Sequence, residues 1–150
     1  MRIIADLHIH SKYSRAVSRD MTPENLDIWA RKKGITIMAT GDFTHPKWLE
    51  ELKEKLEEAE EGLYCLRKAP NQVFSNDTLT RNESQRLQET KNLVWGFSTR
   101  FLLTVEIAVI YSKGGKVRRI HHLVFAPSFA AVDKINKKLA KIGNLSADGR

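Results

Sequence analysis

At 150 residues, 41% hydrophobic and 29% charged, the chain has the composition of one globular domain with room for a core, which excludes a disordered or fibrous class. The net charge of +7 is regional: nine Lys and Arg against two Asp lie between Ser112 and Arg150, and the other 111 residues balance. No apolar run approaches the roughly 18 residues of a membrane span, and Asp6 sits where a secretion signal would be apolar, so a cytoplasmic protein with no membrane partner is expected.

Arg2 to Leu7 reads as a short buried strand that runs straight into His8-Ile9-His10. After a polar loop to Met21, Thr22 is an N-cap and Pro23 a first helical residue. Leu26, Trp29 and Ala30 recur at helical spacing, and Gly34 is a terminator. The β-branched, apolar run from Ile35 to Thr40 predicts a second buried strand, parallel to the first in a βαβ unit, so Gly41-Asp42-Phe43-Thr44-His45 is delivered to the same edge as His8 and His10. Pro46 to about Glu61 predicts a charged amphipathic helix with Trp48, Leu49, Leu52 and Leu56 on one side. Residues 66 to 98, polar and rich in Asn, Gln, Ser and Thr, read as a loop or insertion, with one or two helical turns in Asn82 to Lys91. Phe101 to Tyr111, the turn Lys113-Gly114-Gly115-Lys116 and Val117 to Ala126 predict a β-hairpin. Pro127 ends it, and Phe129 to Ile142 is a basic amphipathic helix with Val132, Ile135, Leu139 and Ile142 inward, stopped by Gly143.

All five histidines fall at strand ends or in the hairpin: His8, His10, His45, His121 and His122. With a single cysteine, Cys65, read as a buried or inert thiol, any metal has to be held by His, Asp and Glu. His8 and His10, two apart on a strand, point to one side and can reach one ion. Carboxylates accompany the histidines: Asp6, Asp42, and Glu106 inside the apolar run Leu102 to Ile110. A carboxylate in a buried strand costs several kcal/mol unless paired or bound to metal, so Glu106 is either a ligand or an outward-facing residue of its strand. His121 and His122 alternate across a strand, so only one of them faces the site.

The segments Ala5-Asp6-Leu7-His8-Ile9-His10-Ser11-Lys12-Tyr13-Ser14, Thr40-Gly41-Asp42-Phe43-Thr44-His45-Pro46, Thr104-Val105-Glu106-Ile107 and His121-His122-Leu123-Val124-Phe125 resemble successive motifs of the PHP (polymerase and histidinol phosphatase) superfamily. Within it, Gly41 to Trp48, the Lys-Gly-Gly-Lys hairpin and His121 to Ser128 look most like the endonuclease Q family. The resemblance covers most of the chain outside 66–98. It implies an α/β fold: residues 1–150 as the N-terminal part of a distorted (β/α)7 barrel, with parallel strands, one β-hairpin and the C-terminal barrel units missing. It also implies two or three divalent ions, zinc or manganese with magnesium as a third candidate. Their ligands would be drawn from His8, His10, Asp42, His45, Glu106, and His121 or His122, the motif spacing favouring His121. His8, His10, Asp42 and Glu106 are then the catalytic set.

The family activity implied is nicking of DNA, a damaged duplex or a single strand, on the 5′ side of deaminated bases or abasic sites. Lys113, Lys116, Arg118 and Arg119 are the candidate phosphate contacts; they equally suit a solvated hairpin. Two other functions stay open. One is a small-molecule phosphatase of the histidinol phosphatase kind, which shares the metal motifs but needs no basic region. The other is a piece that binds metal or nucleic acid without cutting.

Overall fold

The structure is a computed structural model that describes residues 3–67, 99–143 and 145. The expected loop over 66–98, with its helical turns, lies outside the described residues apart from Leu66 and Arg67. The described elements are β1 (Ala5–Asp6), α1 (Pro23–Lys33), β2 (Ile37–Ala39), α2 (Pro46–Lys55), β3 (Leu56–Glu60), β4 (Leu63–Leu66), β5 (Arg100–Lys113), β6 (Lys116–Ala126) and α3 (Phe129–Leu139). They make a mixed α/β fold in which the strands run β1-β2-β5-β4-β3, with β6 paired to β5.

The βαβ unit forms as its local signals direct. Thr22 caps α1 with its side chain accepting from the Asn25 N–H, Pro23 occupies the first turn, and Gly34 ends the helix at φ 71°. β1 and β2 pair in parallel, Ala5 against Ile37 and Asp6 against Met38, and β2 pairs in parallel with the start of β5. The loops that follow β1 and β2 therefore leave from one edge of the sheet.

β5 organises the core. Its residues alternate across the sheet: Phe101, Leu103 and Val105 are fully buried and pack with Leu26 and Ala30 of α1, Trp48, Leu49 and Leu52 of α2, and Val132 of α3. Thr104 and Glu106 belong to the opposite face. At its far end β5 pairs with β6 in the expected hairpin, from Leu103 against Ala126 out to Lys113 against Lys116. Gly114 and Gly115, at φ 59° and 71°, supply the two left-handed residues that a twist-matched two-residue turn needs.

Four expectations are corrected. The helix expected to reach Glu61 ends at Lys55, and the chain turns into the antiparallel pair β3–β4 around Gly62, at φ 76°. Glu57, Glu58 and Glu60 favour a helix locally, but Leu56 gains burial in the core, Tyr64 pairs with Phe101 on β5, and Arg100 holds Glu60 through two nitrogens at 2.6 and 2.7 Å. That contact lowers the Glu60 carboxyl below its ordinary range. β1 is not buried: Ile3, Ile4 and Leu7 are exposed, because β1 is an edge strand that pairs on one side only among the described residues. Trp29, expected on the inner face of α1, is 54% exposed and lies over the Lys32 ammonium, while Asp27 is buried instead. Arg31 and the Thr99 N–H donate to the Asp27 carboxylate, which makes its burial tolerable. Ile142 is 84% exposed because α3 stops at Leu139, before the expected inward turn is complete. Cys65 lies half-buried on β4.

Between α1 and α2, Lys55 bridges Glu24 and Glu51, each at 2.8 Å. Burial acts to lower the Lys55 ammonium and to raise the Glu24 carboxyl. Their mutual hydrogen bond and charge outweigh it, leaving Lys55 above and Glu24 below their ordinary values.

Among the described residues, Gly41 is the one glycine whose missing side chain is a packing requirement. At φ 63° it faces the first loop so closely that an added Cβ would lie 2.3 Å from the Ile9 carbonyl oxygen. Gly41→Ala is expected to lose more than the roughly 1–2 kcal/mol that a left-handed conformation costs an L-residue. Gly114→Ala, with no atom within 4 Å of its Cβ, should lose no more than that. Urea unfolding of the two variants checks the difference.

Candidate metal centre

The site forms where the loop after β1 meets the loop after β2 and the outer face of β5. The β2 loop is fixed first, by a ladder of hydrogen bonds to Thr104. Gly41 N–H donates to Thr104 Oγ1 at 2.9 Å, Thr104 N–H donates to Thr40 Oγ1 at 3.1 Å, and Phe43 N–H donates to the Thr104 carbonyl at 3.2 Å. From below, the buried Trp48 indole N–H donates to the Thr40 and Gly41 carbonyls. From the side, Asn136 of α3 donates to the Phe43 carbonyl.

The β1 loop is then held against this frame residue by residue. Ser11 donates to Asp42, the Lys12 ammonium reaches Glu51 at 2.7 Å, and the Tyr13 ring stacks on His45 with centroids 4.5 Å apart. His8 and His10 are thereby carried over Glu106, whose side chain is 14% exposed. His8 Nε2 lies 2.6 Å and His10 Nε2 3.3 Å from Glu106 Oε2, and His121 Nδ1 contacts Glu106 Oε1. One ligand atom from each of His8, His10 and Glu106 lies within 4.8 Å of the other two, so the three could hold one ion. The donor set suits a divalent cation: imidazole nitrogens and carboxylate oxygens are the ligands that zinc accepts at about 2.0–2.2 Å.

The remaining sequence candidates separate. Asp42, expected among the ligands, spends its carboxylate within the protein: Oδ2 accepts from Ser11 N–H at 2.7 Å and Ser11 Oγ at 2.8 Å, and Oδ1 lies 3.0 Å from His10 Nδ1. His45 caps α2, its Nδ1 accepting from the Trp48 N–H, and stands outside the His8, His10 and Glu106 group. Asp6 accepts from the His8 N–H at 3.4 Å. Of the histidine pair, His121 stands opposite Ala108 and so shares the face of Glu106, whereas His122 stands opposite Ile107 on the other face. The same parity sorts the basic residues: Arg119, opposite Ile110, is on the Glu106 face, while Arg118, opposite Tyr111, and the Lys113–Lys116 pair at the tip are on the reverse. Ser11 and Thr104 went unrecognised in the sequence. Their only signal there is adjacency, Ser11 following His10 and Thr104 standing two before Glu106, which hydroxyl residues show in many strands without consequence.

No family model matches the chain. A 49-residue segment, 33% of the chain, is 51% identical to an uncharacterized protein of Methanocaldococcus jannaschii, 6% of which it covers. Two solved structures are similar in fold over nearly the whole chain. One is endonuclease Q in complex with a 27-mer duplex substrate carrying an abasic lesion at the active site: 27% identical, TM-score 0.65, with 97% of this chain covered. The other is the lesion-specific endonuclease PfuEndoQ from Pyrococcus furiosus: 25% identical, TM-score 0.66, with 99% covered. The chain spans 28% of the length of each.

Titration with zinc in competition with a chelator checks the site. Glu106→Gln should weaken binding by more than the roughly 10–100-fold that loss of a supporting group costs. His122→Ala, on the reverse face, should leave it unchanged.

Proposed function

We propose that residues 1–150 are the N-terminal part of a PHP-type domain, the first units of a distorted (β/α)7 barrel, and that the chain serves a cytoplasmic DNA-repair endonuclease of the endonuclease Q kind. Its reaction is metal-dependent hydrolysis of a phosphodiester on the 5′ side of a deaminated base or an abasic site. The observation that carries this reading is the double engagement of Glu106. One carboxylate oxygen faces His8 and His10 and the other faces His121, on a scaffold shared with a nuclease whose active site holds damaged duplex DNA.

His8, His10 and Glu106 Oε2 would hold one divalent ion, zinc or manganese, and His121 with Glu106 Oε1 would contribute to a second. Such ions supply a water of lowered pKa and neutralise charge on the scissile phosphate. The protein orients the ligands and leaves the site open, since the His8 side chain is 53% exposed. Arg119, on the same face and further along the ribbon, would take a neighbouring phosphate of the substrate backbone. A guanidinium there binds the strand without reading its sequence.

A duplex with a single uracil, hypoxanthine or abasic site, incubated with manganese, should be nicked 5′ of the lesion, and His8→Ala should abolish the nick. Turnover of a small phosphate monoester alone would favour the phosphatase reading, and DNA binding without cleavage the non-cutting one. Arg119→Ala should weaken binding to all sequences alike and reduce the salt slope of log K by about 1, as the loss of one phosphate contact does. Arg118→Ala should do less, which fluorescence anisotropy over a range of salt concentrations measures.

A further inference from the structure

We infer that Asp42 acts through His10 rather than on the metal itself: held by Ser11, it fixes the proton of His10 on Nδ1 and so keeps Nε2 bare for the ion. The inference rests on the metal-centre reading above and assigns a positioning role to one residue of it.

The backbone supplies the first argument. Asp42 is one of only two non-glycine residues with positive φ among the described residues, at 47°, and it follows Gly41 at 63°. Glycine takes a left-handed conformation freely, but at Asp42 it is costly and persists only where the surroundings over-determine it. Here the surroundings are the Thr104 hydrogen bonds to Gly41 and Phe43, one on each side of Asp42. The turn directs the buried carboxylate at the His10–Ser11 segment.

Hydrogen-bond chemistry supplies the second. The Ser11 N–H can only donate, and it lies 2.7 Å from Oδ2, with the Ser11 hydroxyl on the same oxygen at 2.8 Å. Oδ1 then faces His10 Nδ1 at 3.0 Å, and a carboxylate oxygen accepts, so Nδ1 carries the proton. The other ring nitrogen, Nε2, is the one turned to Glu106. Which imidazole nitrogen binds a metal is set by the hydrogen bond that the other makes. With both Asp42 oxygens engaged by Ser11 and His10, this carboxylate is committed to orientation.

Asp42→Asn tests the inference sharply. Asn is among the side chains that tolerate a left-handed backbone, so the turn should survive. Ser11 N–H still demands an oxygen, which obliges the amide NH2 to face His10. Nδ1 must then accept, and the proton moves to Nε2, the ligand atom. Long-range 15N–1H correlation spectra of the histidine-labelled chain without metal should show His10 protonated on Nδ1 in the wild type. In Asp42→Asn it should be the neutral Nε2–H form.

Zinc affinity should fall about 10–100-fold with the unfolding midpoint little changed, and Ser11→Ala, which keeps the N–H donor, should fall less. With cobalt as surrogate, the visible spectrum at saturation should match the wild type, because no ligand is lost. An unprotonated Nδ1 in the wild type overturns the inference without any variant, even should Asp42→Asn fail to fold. So does an altered cobalt spectrum in Asp42→Asn, which would make Asp42 a ligand, or zinc binding as tight as wild type. An Nδ1-protonated His10 in a chain that takes up no zinc would instead remove the metal-centre reading and leave the orientation of His10 by Asp42 standing.

Discussion

The turn at Gly41 and Asp42 is the constraint on which the site depends. β1 and β2 are parallel neighbours, so their loops emerge side by side, but parallel pairing alone leaves each loop free to splay. The close approach of Gly41 to the Ile9 carbonyl brings them together, and the Asp42 carboxylate then grips the segment that bears His10. Only a residue without a Cβ allows that approach, and only a short polar side chain in the next position turns back far enough to make the grip.

Thr104 couples this turn to the rest of the molecule. Through its hydroxyl, N–H and carbonyl it bonds Gly41, Thr40 and Phe43, and two residues further along the same face β5 presents Glu106. The strand that supplies the central carboxylate therefore also sets the loop that steers His10. The opposite face of the same stretch, Phe101, Leu103 and Val105, is anchored in the core. The loops that bear His10 and Asp42 are thus tied, through Thr104, to a strand fixed by hydrophobic packing, as the preorganisation of a site requires.

Electrostatics gives the site its sense. Three imidazoles surround one largely buried carboxylate, and a second carboxylate stands behind one of them. Imidazole nitrogens and carboxylate oxygens gathered this closely could hold a metal ion, with His8, His10 and Glu106 offering one ligand atom each. Of the nine basic residues after Ser112, four lie on the ribbon that continues from this group, and of those only Arg119 shares the face of Glu106.

Local signals in the sequence determined the elements that local physics controls. Thr22, Pro23 and Gly34 bound α1, the Gly-Gly pair makes the hairpin turn, and period-two alternation leaves a single one of the two adjacent histidines on the Glu106 face. They also placed His8, His10, Asp42 and His45 at one edge of the sheet, because strand ends and parallel pairing follow from pattern. Tertiary structure decided what depends on neighbours distant in sequence. Leu56 to Glu60 became a strand because Leu63 to Leu66 pairs with it and Arg100 holds Glu60, and on α1 the residue buried is Asp27, held by Arg31 and Thr99, while Trp29 is exposed. Asp42 was visible as a carboxylate near histidines, but its place behind His10 was not. That place is set by a left-handed turn and by Ser11 and Thr104, 31 residues before and 62 after it, and no local preference of the chain encodes contacts at such separations.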